Sequence, residues 1–232
     1  KVANLREIAR KIITAKGDLP IGNLDQEKLN QSLLLANTWL DTEILFPASV
    51  MPSQSAWSKR DWLDESVTGW QQLIEPLALG MADALGNVIT NASTSLPIEF
   101  MGSSEQSPAQ QEAMKLMLAR ILRGFMGTLI ATQLGQGIGM LANSITGAND
   151  VAIPLSSGAH LIPQNVTDWA QGLGLPETEV EIYLALREVS AARLFANTPW
   201  LLNYIRDAIT TYGKGITIDV EAIARQAEEA MA

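Results

Sequence analysis

Apolar residues recur at three- and four-residue spacing through most of the chain, and that period predicts helices rather than strands. Val2, Leu5, Ile8 or Ala9, Ile12 and Ile13 mark a first helix ending near Gly17. The run Asp18-Leu19-Pro20-Ile21-Gly22-Asn23 has loop chemistry. A second helix is expected from about Asp25 to Leu45, stopped by Pro47. After a connector at Met51–Ser55, Ser58 reads as an N-cap, with Asp61 three residues on completing a capping box. Trp62, Ser66, Trp70, Leu73 and Ile74 then share one helical face, Pro76 predicts a kink or interruption, and helix resumes to about Thr90.

Residues 91–109 are rich in Ser, Asn, Gln, Gly and Pro and predict a long, mobile loop. Helix follows from about Pro108 to Ser144, then a turn at Gly147–Asp150. Val151–Leu155 and His160–Ile162 predict a small two-stranded β element, which Pro154 and Pro163 confine to edge positions. Short helix is expected at Val166–Gln171, then helices from Pro176 to about Ala196 and from Thr198-Pro199 to about Tyr212. Gly213-Lys214-Gly215 should break the chain before a last helix capped by Asp219. The fold class is therefore mainly α, read as one domain over residues 1–232: a helical part to about 90, the loop, and a second part from about 110.

The net charge of −9 argues against general nucleic-acid binding. Its distribution is uneven: residues 1–16 hold five cations against Glu7, so +4, and the rest of the chain carries −13. A basic amphipathic helix of this kind suits a membrane surface, and equally an ordinary helix with a solvated basic face, the reading preferred here. No charge occurs between Arg123 and Asp150, but Gln, Asn, Thr and Gly residues dilute that stretch, so a buried helix is expected and not a transmembrane span. The absence of cysteine removes thiol nucleophiles and thiolate metal sites and fits a reducing, cytoplasmic setting.

The most informative segment is Leu186-Arg187-Glu188-Val189-Ser190-Ala191-Ala192-Arg193-Leu194-Phe195, followed by Asn197-Thr198-Pro199-Trp200-Leu201. It resembles the zinc helix of an actinobacterial family of zincin-like hydrolases, whose motif reads His-Glu-x-x-His, then Ala or Arg, Arg, Leu-Phe and Pro-Trp-Leu. Ala36 with Trp39-Leu40-Asp41, Ala56-Trp57-Ser58, Asp61-Trp62, Trp70 and Leu73-Ile74-Glu75-Pro76 are similar to that family's tryptophan-rich N-terminal part. The resemblance implies a zincin-like helical domain and an association with deazaflavin coenzyme biosynthesis, without an established substrate.

The zincin motif needs two histidines four residues apart, about 6 Å along a helix and nearly one turn, so that both imidazoles meet one ion. The intervening glutamate then acts as general base on metal-bound water. Here the ligand positions hold Arg187 and Ala191. A guanidinium has no lone pair to give and alanine has no donor atom. Glu188 survives as a vestigial general-base position, and His160, the single histidine, cannot rebuild a two-histidine site. No metal site of the zincin type and no cofactor is expected. The spacing of Val180, Tyr183, Leu184, Arg187, Ala191, Leu194 and Phe195 predicts a core-facing stripe, with the stem of Arg187 covered and its guanidinium paired to a carboxylate from another element.

Gly137-Ile138-Gly139-Met140-Leu141-Ala142 matches the letters of a dinucleotide fingerprint without the βαβ context that gives it meaning, so close helix packing is the better reading. Acidic clusters at Asp61, Asp64, Glu65 and at Glu177, Glu179, Glu181 lie in or near first turns of helices, where they complement the helix dipole. Three functions stay open: an inactive zincin relative that binds or regulates a protein or peptide partner; an enzyme of unrecognised mechanism; and a structural module, a homodimer among its forms.

Overall fold

The computed structural model describes residues 2–48, 55–95 and 108–217, with residues 219 and 225. Along them run α1 (Val2–Lys16), α2 (Asn23–Glu43), α3 (Lys59–Ser95), α4 (Pro108–Leu141), α5 (Pro163–Ala170), α6 (Glu177–Asn197) and α7 (Trp200–Lys214). The protein is mainly helical, as the periodicity predicts. Several starts are fixed by side chains. At α3 the Ser58 N–H donates to the Asp61 carboxylate at 2.8 Å while the Asp61 N–H donates to the Ser58 hydroxyl at 3.1 Å, the reciprocal box expected. At α2 the Gly22 N–H donates to Asp25 at 2.9 Å, and α5 opens on Pro163.

The chain divides into two compact units, residues 1–72 with 131–206 and residues 73–130 with 207–232. The first unit holds two hydrophobic clusters. One joins Leu5, Ala9 and Ile13 of α1, Trp62, Leu63 and Val67 of α3, Ile138 of α4 and Ala142 just beyond its end. The other joins Leu29, Leu33 and Ala36 of α2 with Val180, Leu184, Ala185, Val189 and Ala192 of α6. Extended chain contributes to both clusters. Ala56 and Leu161 belong to the α2–α6 cluster, and their neighbours Trp57 and Ile162 to the other. Successive residues of an extended segment point to opposite sides, so two short stretches serve two cores.

The two-stranded element predicted over residues 151–162 is not formed. Leu161 instead makes isolated bridges, parallel to Ala56 and antiparallel to Gly147. The Trp57 N–H donates to Leu161 O and the Leu161 N–H to Ser55 O, both at 2.9 Å; the Ile162 N–H donates to Thr146 O at 2.9 Å and the Ala148 N–H to His160 O at 3.0 Å. The hydrophobic run at 151–155 cannot supply a partner strand. Pro154 lacks an N–H, and Ala152 and Gly158 adopt left-handed φ of 55° and 84°, which turn the chain away from extension.

The basic helix α1 is a core element with a solvated face: Leu5, Ala9 and Ile13 are buried, while Arg6 and Arg10 reach Asp64 on α3. It packs closely on α4. A Cβ at Gly135 would lie 2.9 Å from Leu5 O, and one at Gly139 would lie 2.9 Å from the Ile12 Cβ. The Gly137–Ala142 run therefore belongs to a helix, not a nucleotide loop, and Gly139 gives the close packing expected of it.

In the second unit, α3 continues through Pro76 without interruption. The lost hydrogen bond is one rung of a 37-residue ladder. Downstream, a Cβ at Gly80 would run into Gly213 O, so the backbones of α3 and α7 touch there. Helix α7 ends at Lys214, within the break expected at Gly213-Lys214-Gly215. Of the loop expected at 91–109, residues 91–95 and 108–109 are helical; the remainder, like the helix expected after Asp219 apart from residue 225, lies outside the described residues. Among the described residues no helix is long and apolar enough to cross a membrane.

Candidate functional site

The segment singled out by its motif lies in the middle of α6, within the first unit. Helical geometry puts positions 187 and 191 on one stripe and turns 188 about 100° away from 187. Glu188 faces the interior and is 4% exposed. Its Oε1 accepts the Asn149 side-chain N–H at 2.7 Å, the Asn149 backbone N–H at 3.1 Å and the His160 backbone N–H at 3.2 Å; Oε2 shares the Asn149 N–H at 3.1 Å. The Asn149 amide also donates to Gly158 O at 2.9 Å. One carboxylate thus ties α6 to both ends of the loop that joins α4 to α5.

Gly147 makes this approach feasible. A Cβ there would sit 2.5 Å from the Glu188 Oε2 and 2.9 Å from His160 O. Burial pushes the Glu188 carboxyl up to about 7, and the hydrogen bonds from His160 and Asn149 and the charge of Arg187 pull it down only in part.

Arg187 does not lie in the covered stripe expected for it. Its side chain is 43% exposed and its guanidinium pairs with Asp150. The expected carboxylate partner from another element is present, at the surface and not in the core. Asp150 is held in turn by Thr146, whose N–H and hydroxyl donate to it at 2.7 and 3.0 Å. Ala191 is half-buried. The covered face of α6 is Val180, Glu181, Leu184, Ala185, Glu188, Val189, Ala192 and Arg193, and Tyr183 and Leu194 point outward. The stripe is rotated because three of its members are charged, and each has its own partners. Glu181 is paired by Lys28 at 2.7 Å and accepts from Ser32. Arg193, fully buried, donates to Asn37, to Phe46 O at 3.2 Å and to Asp41 at 2.6 Å.

His160 is buried beside Glu188 through its backbone, but its ring turns elsewhere. It stacks on Trp57 with centroids 3.6 Å apart, and its Nε2–H donates to Ser157 O at 3.1 Å. Sequence reasoning missed Asn149 and Asp150 as the residues engaged with α6. One signal could have found Asp150: it is the single charged residue between Arg123 and Asp168.

The family model of the zincin-like metallopeptidases matches residues 2–232. The chain belongs to that family. Among solved structures it is similar to a protein from Chloroflexus aurantiacus, described provisionally as a hydrolase with a novel fold, at a TM-score of 0.56 and 16% identity. The similarity covers 90% of this chain and 57% of the other, so this chain spans little more than half of its structural neighbour's length. At that identity the likeness is one of fold. No curated protein matches.

The resemblance of residues 186–195 to a zinc helix would place a zinc ion on α6, and the residues present there do not fit one. Arg187 and Ala191 offer no lone pair. Glu188 has Oε1 occupied by three N–H donors, and Oε2 shares one of them. The imidazole of His160 is stacked and hydrogen-bonded away from α6. Among the described residues, no three His, Cys, Asp or Glu side chains are grouped so as to hold a metal ion.

Proposed function

We propose that this chain is a non-catalytic member of the zincin-like metallopeptidase family that binds or regulates a protein or peptide partner. The observation that carries the reading is the state of Glu188. As a general base it would need one oxygen turned toward a water on the Arg187–Ala191 face. It is instead buried and used as an acceptor for the Asn149 and His160 N–H groups, which makes it a strut between helix and loop. The tryptophan-rich pattern supports a place in the actinobacterial, deazaflavin-associated branch, and the lack of cysteine supports a cytoplasmic setting.

The test combines metal content with turnover. Elemental analysis of the purified protein is expected to find far less than one zinc per chain, and fluorogenic peptides are expected to remain intact with added zinc. About one tightly held zinc per chain, with hydrolysis abolished by Glu188→Gln, would overturn the reading.

A helical assembly module is a second reading, favoured by one feature of α4. Met117, Ile121 and Phe125, spaced by four residues, are 65%, 56% and 64% exposed. Sedimentation would separate the two: a concentration-dependent dimer lost in Phe125→Glu supports assembly, a monomer at all concentrations does not.

A further inference from the structure

A cavity of about 290 Å³ opens in the first unit between the α1–α2 loop and the starts of α2, α3 and α5. Leu19, Pro20, Ile21, Trp57, Ile162 and Pro163 form its apolar wall. Its charged lining is Asp18, Asp25 and Asp168 against Lys59. The Lys59 ammonium, on a residue 3% exposed, is turned to Gly17 O at 3.0 Å and to the Asn143 side-chain oxygen at 3.1 Å. Asp18 is engaged structurally, accepting the Lys59 N–H at 2.9 Å and facing Arg60 at 3.5 Å. Asp25 caps α2 through the Gly22 N–H. Asp168 is different: it is exposed and has no ion-pair partner among the described residues. The mouth therefore presents carboxylate charge above an aromatic and apolar wall.

That combination fits one chemistry, an apolar stem ending in a cation. The stem covers Pro20, Pro163, Ile21 and the Trp57 indole, and the cation meets Asp168 and Asp25. A carboxylate or phosphate would meet the like charges of Asp25 and Asp168 instead, with the Lys59 ammonium already turned to Gly17 O and Asn143. We propose that this cavity receives a lysine side chain presented by a partner polypeptide. The inference extends the binding role proposed above but does not depend on the loss of catalysis, because none of these residues belongs to the Glu188 site. Trp57 nevertheless stands between the two, lining the cavity and stacking on His160, whose N–H holds Glu188.

The test is a titration of the isotope-labelled protein followed by NMR, with acetyl-Gly-Lys-Gly-amide as probe and acetyl-Gly-norleucine-Gly-amide as its neutral match. Saturable shifts of the Trp57 indole and Thr167 amide are expected with the lysine peptide, and affinity at least tenfold weaker with norleucine. Asp168→Asn should weaken lysine binding about tenfold, and Asp168→Lys should abolish it, while both variants keep the parent's spectrum elsewhere. Equal response to the two peptides, no response to lysine, or unchanged affinity in Asp168→Lys would overturn the proposal. If zinc or peptidase activity were found while the lysine shifts persisted, the reading of Glu188 would fail and this one would stand.

Discussion

Glu188 sits among donors: the backbone N–H groups of Asn149 and His160 and the Asn149 amide all point at it. Burial still prevails and lifts its carboxyl to about 7 from an ordinary 4.5. The linkage follows from that direction. Between these values the folded chain holds a proton that the unfolded chain has released, so Glu188 lowers stability as pH rises from about 4.5 to 7. A shift of this size corresponds to roughly 3 kcal/mol at most. Urea midpoints taken from pH 4.5 to 8 should therefore fall more steeply in the parent than in Glu188→Gln, which cannot ionise. A Gln oxygen at the Oε1 position keeps the three contacts made there, so the variant should match or exceed the parent at pH 8. Glu188→Ala removes the acceptor for buried N–H groups and should cost about 2–4 kcal/mol near pH 4.5, and less at pH 8, where the parent has already lost stability by ionising Glu188. Equal pH slopes in parent and Gln variant would show that Glu188 does not titrate in this window. Gly147→Ala tests the same contact from the other side: its methyl would meet Oε2 at 2.5 Å, and a loss of about 1–3 kcal/mol is expected in the same unfolding assay.

At the scale of the element, α6 shows how a helix face can be misread. Apolar periodicity selects Tyr183 and Leu194 as inward, yet they are 54% and 37% exposed. The covered face instead includes Glu181, Glu188 and Arg193, each at or below 4% exposure. Hydropathy treats a charged residue as a vote for solvent. It cannot know that Lys28, Ser32, Asn37 and Asp41 of α2, or the N–H groups of the 147–160 loop, stand opposite. Those partners lie about 150 residues away in sequence for Glu181 and Arg193, outside any local window. Arg193→Ala should destabilise by about 3–5 kcal/mol in urea unfolding, since it opens the core and strands the Asn37 and Phe46 acceptors. Tyr183→Ala, on the face that looked buried, should cost about 1 kcal/mol or less. Reversed magnitudes would restore the stripe predicted from periodicity. Helix starts were legible for the opposite reason: the Ser58–Asp61 box and Pro163 act within one turn, where sequence distance and spatial distance agree.

At the scale of the whole molecule, the helical class was legible in the apolar period, and the family in the order of local motifs, the tryptophans before residue 76 and then Arg193-Leu194-Phe195 with Pro199-Trp200-Leu201, within a chain that the family model matches over residues 2–232. The division into two units was not, because it falls inside α3, α4 and α7, with no linker composition to mark it. What remains is whether this scaffold is a zinc site lacking only two ligands, and the double variant Arg187→His with Ala191→His decides it. Both imidazoles would emerge from one stripe of α6 at the usual spacing. A catalytic zinc takes three protein ligands, and its water needs a base nearby. The carboxylate that meets position 187 is Asp150, freed by loss of Arg187 but still bound by the Thr146 N–H and hydroxyl. Glu188 would still be holding Asn149 and His160 from the interior side. The variant is therefore expected to bind zinc weakly, as a two-imidazole site does, with dissociation on dialysis and no peptide hydrolysis. Elemental analysis after dialysis and a fluorogenic peptide assay, run beside the parent, read both points. Retention of one zinc per chain with new hydrolysis would mean that Glu188 can leave its donors, and that its role as a strut is a consequence of the missing ligands and not a replacement for them.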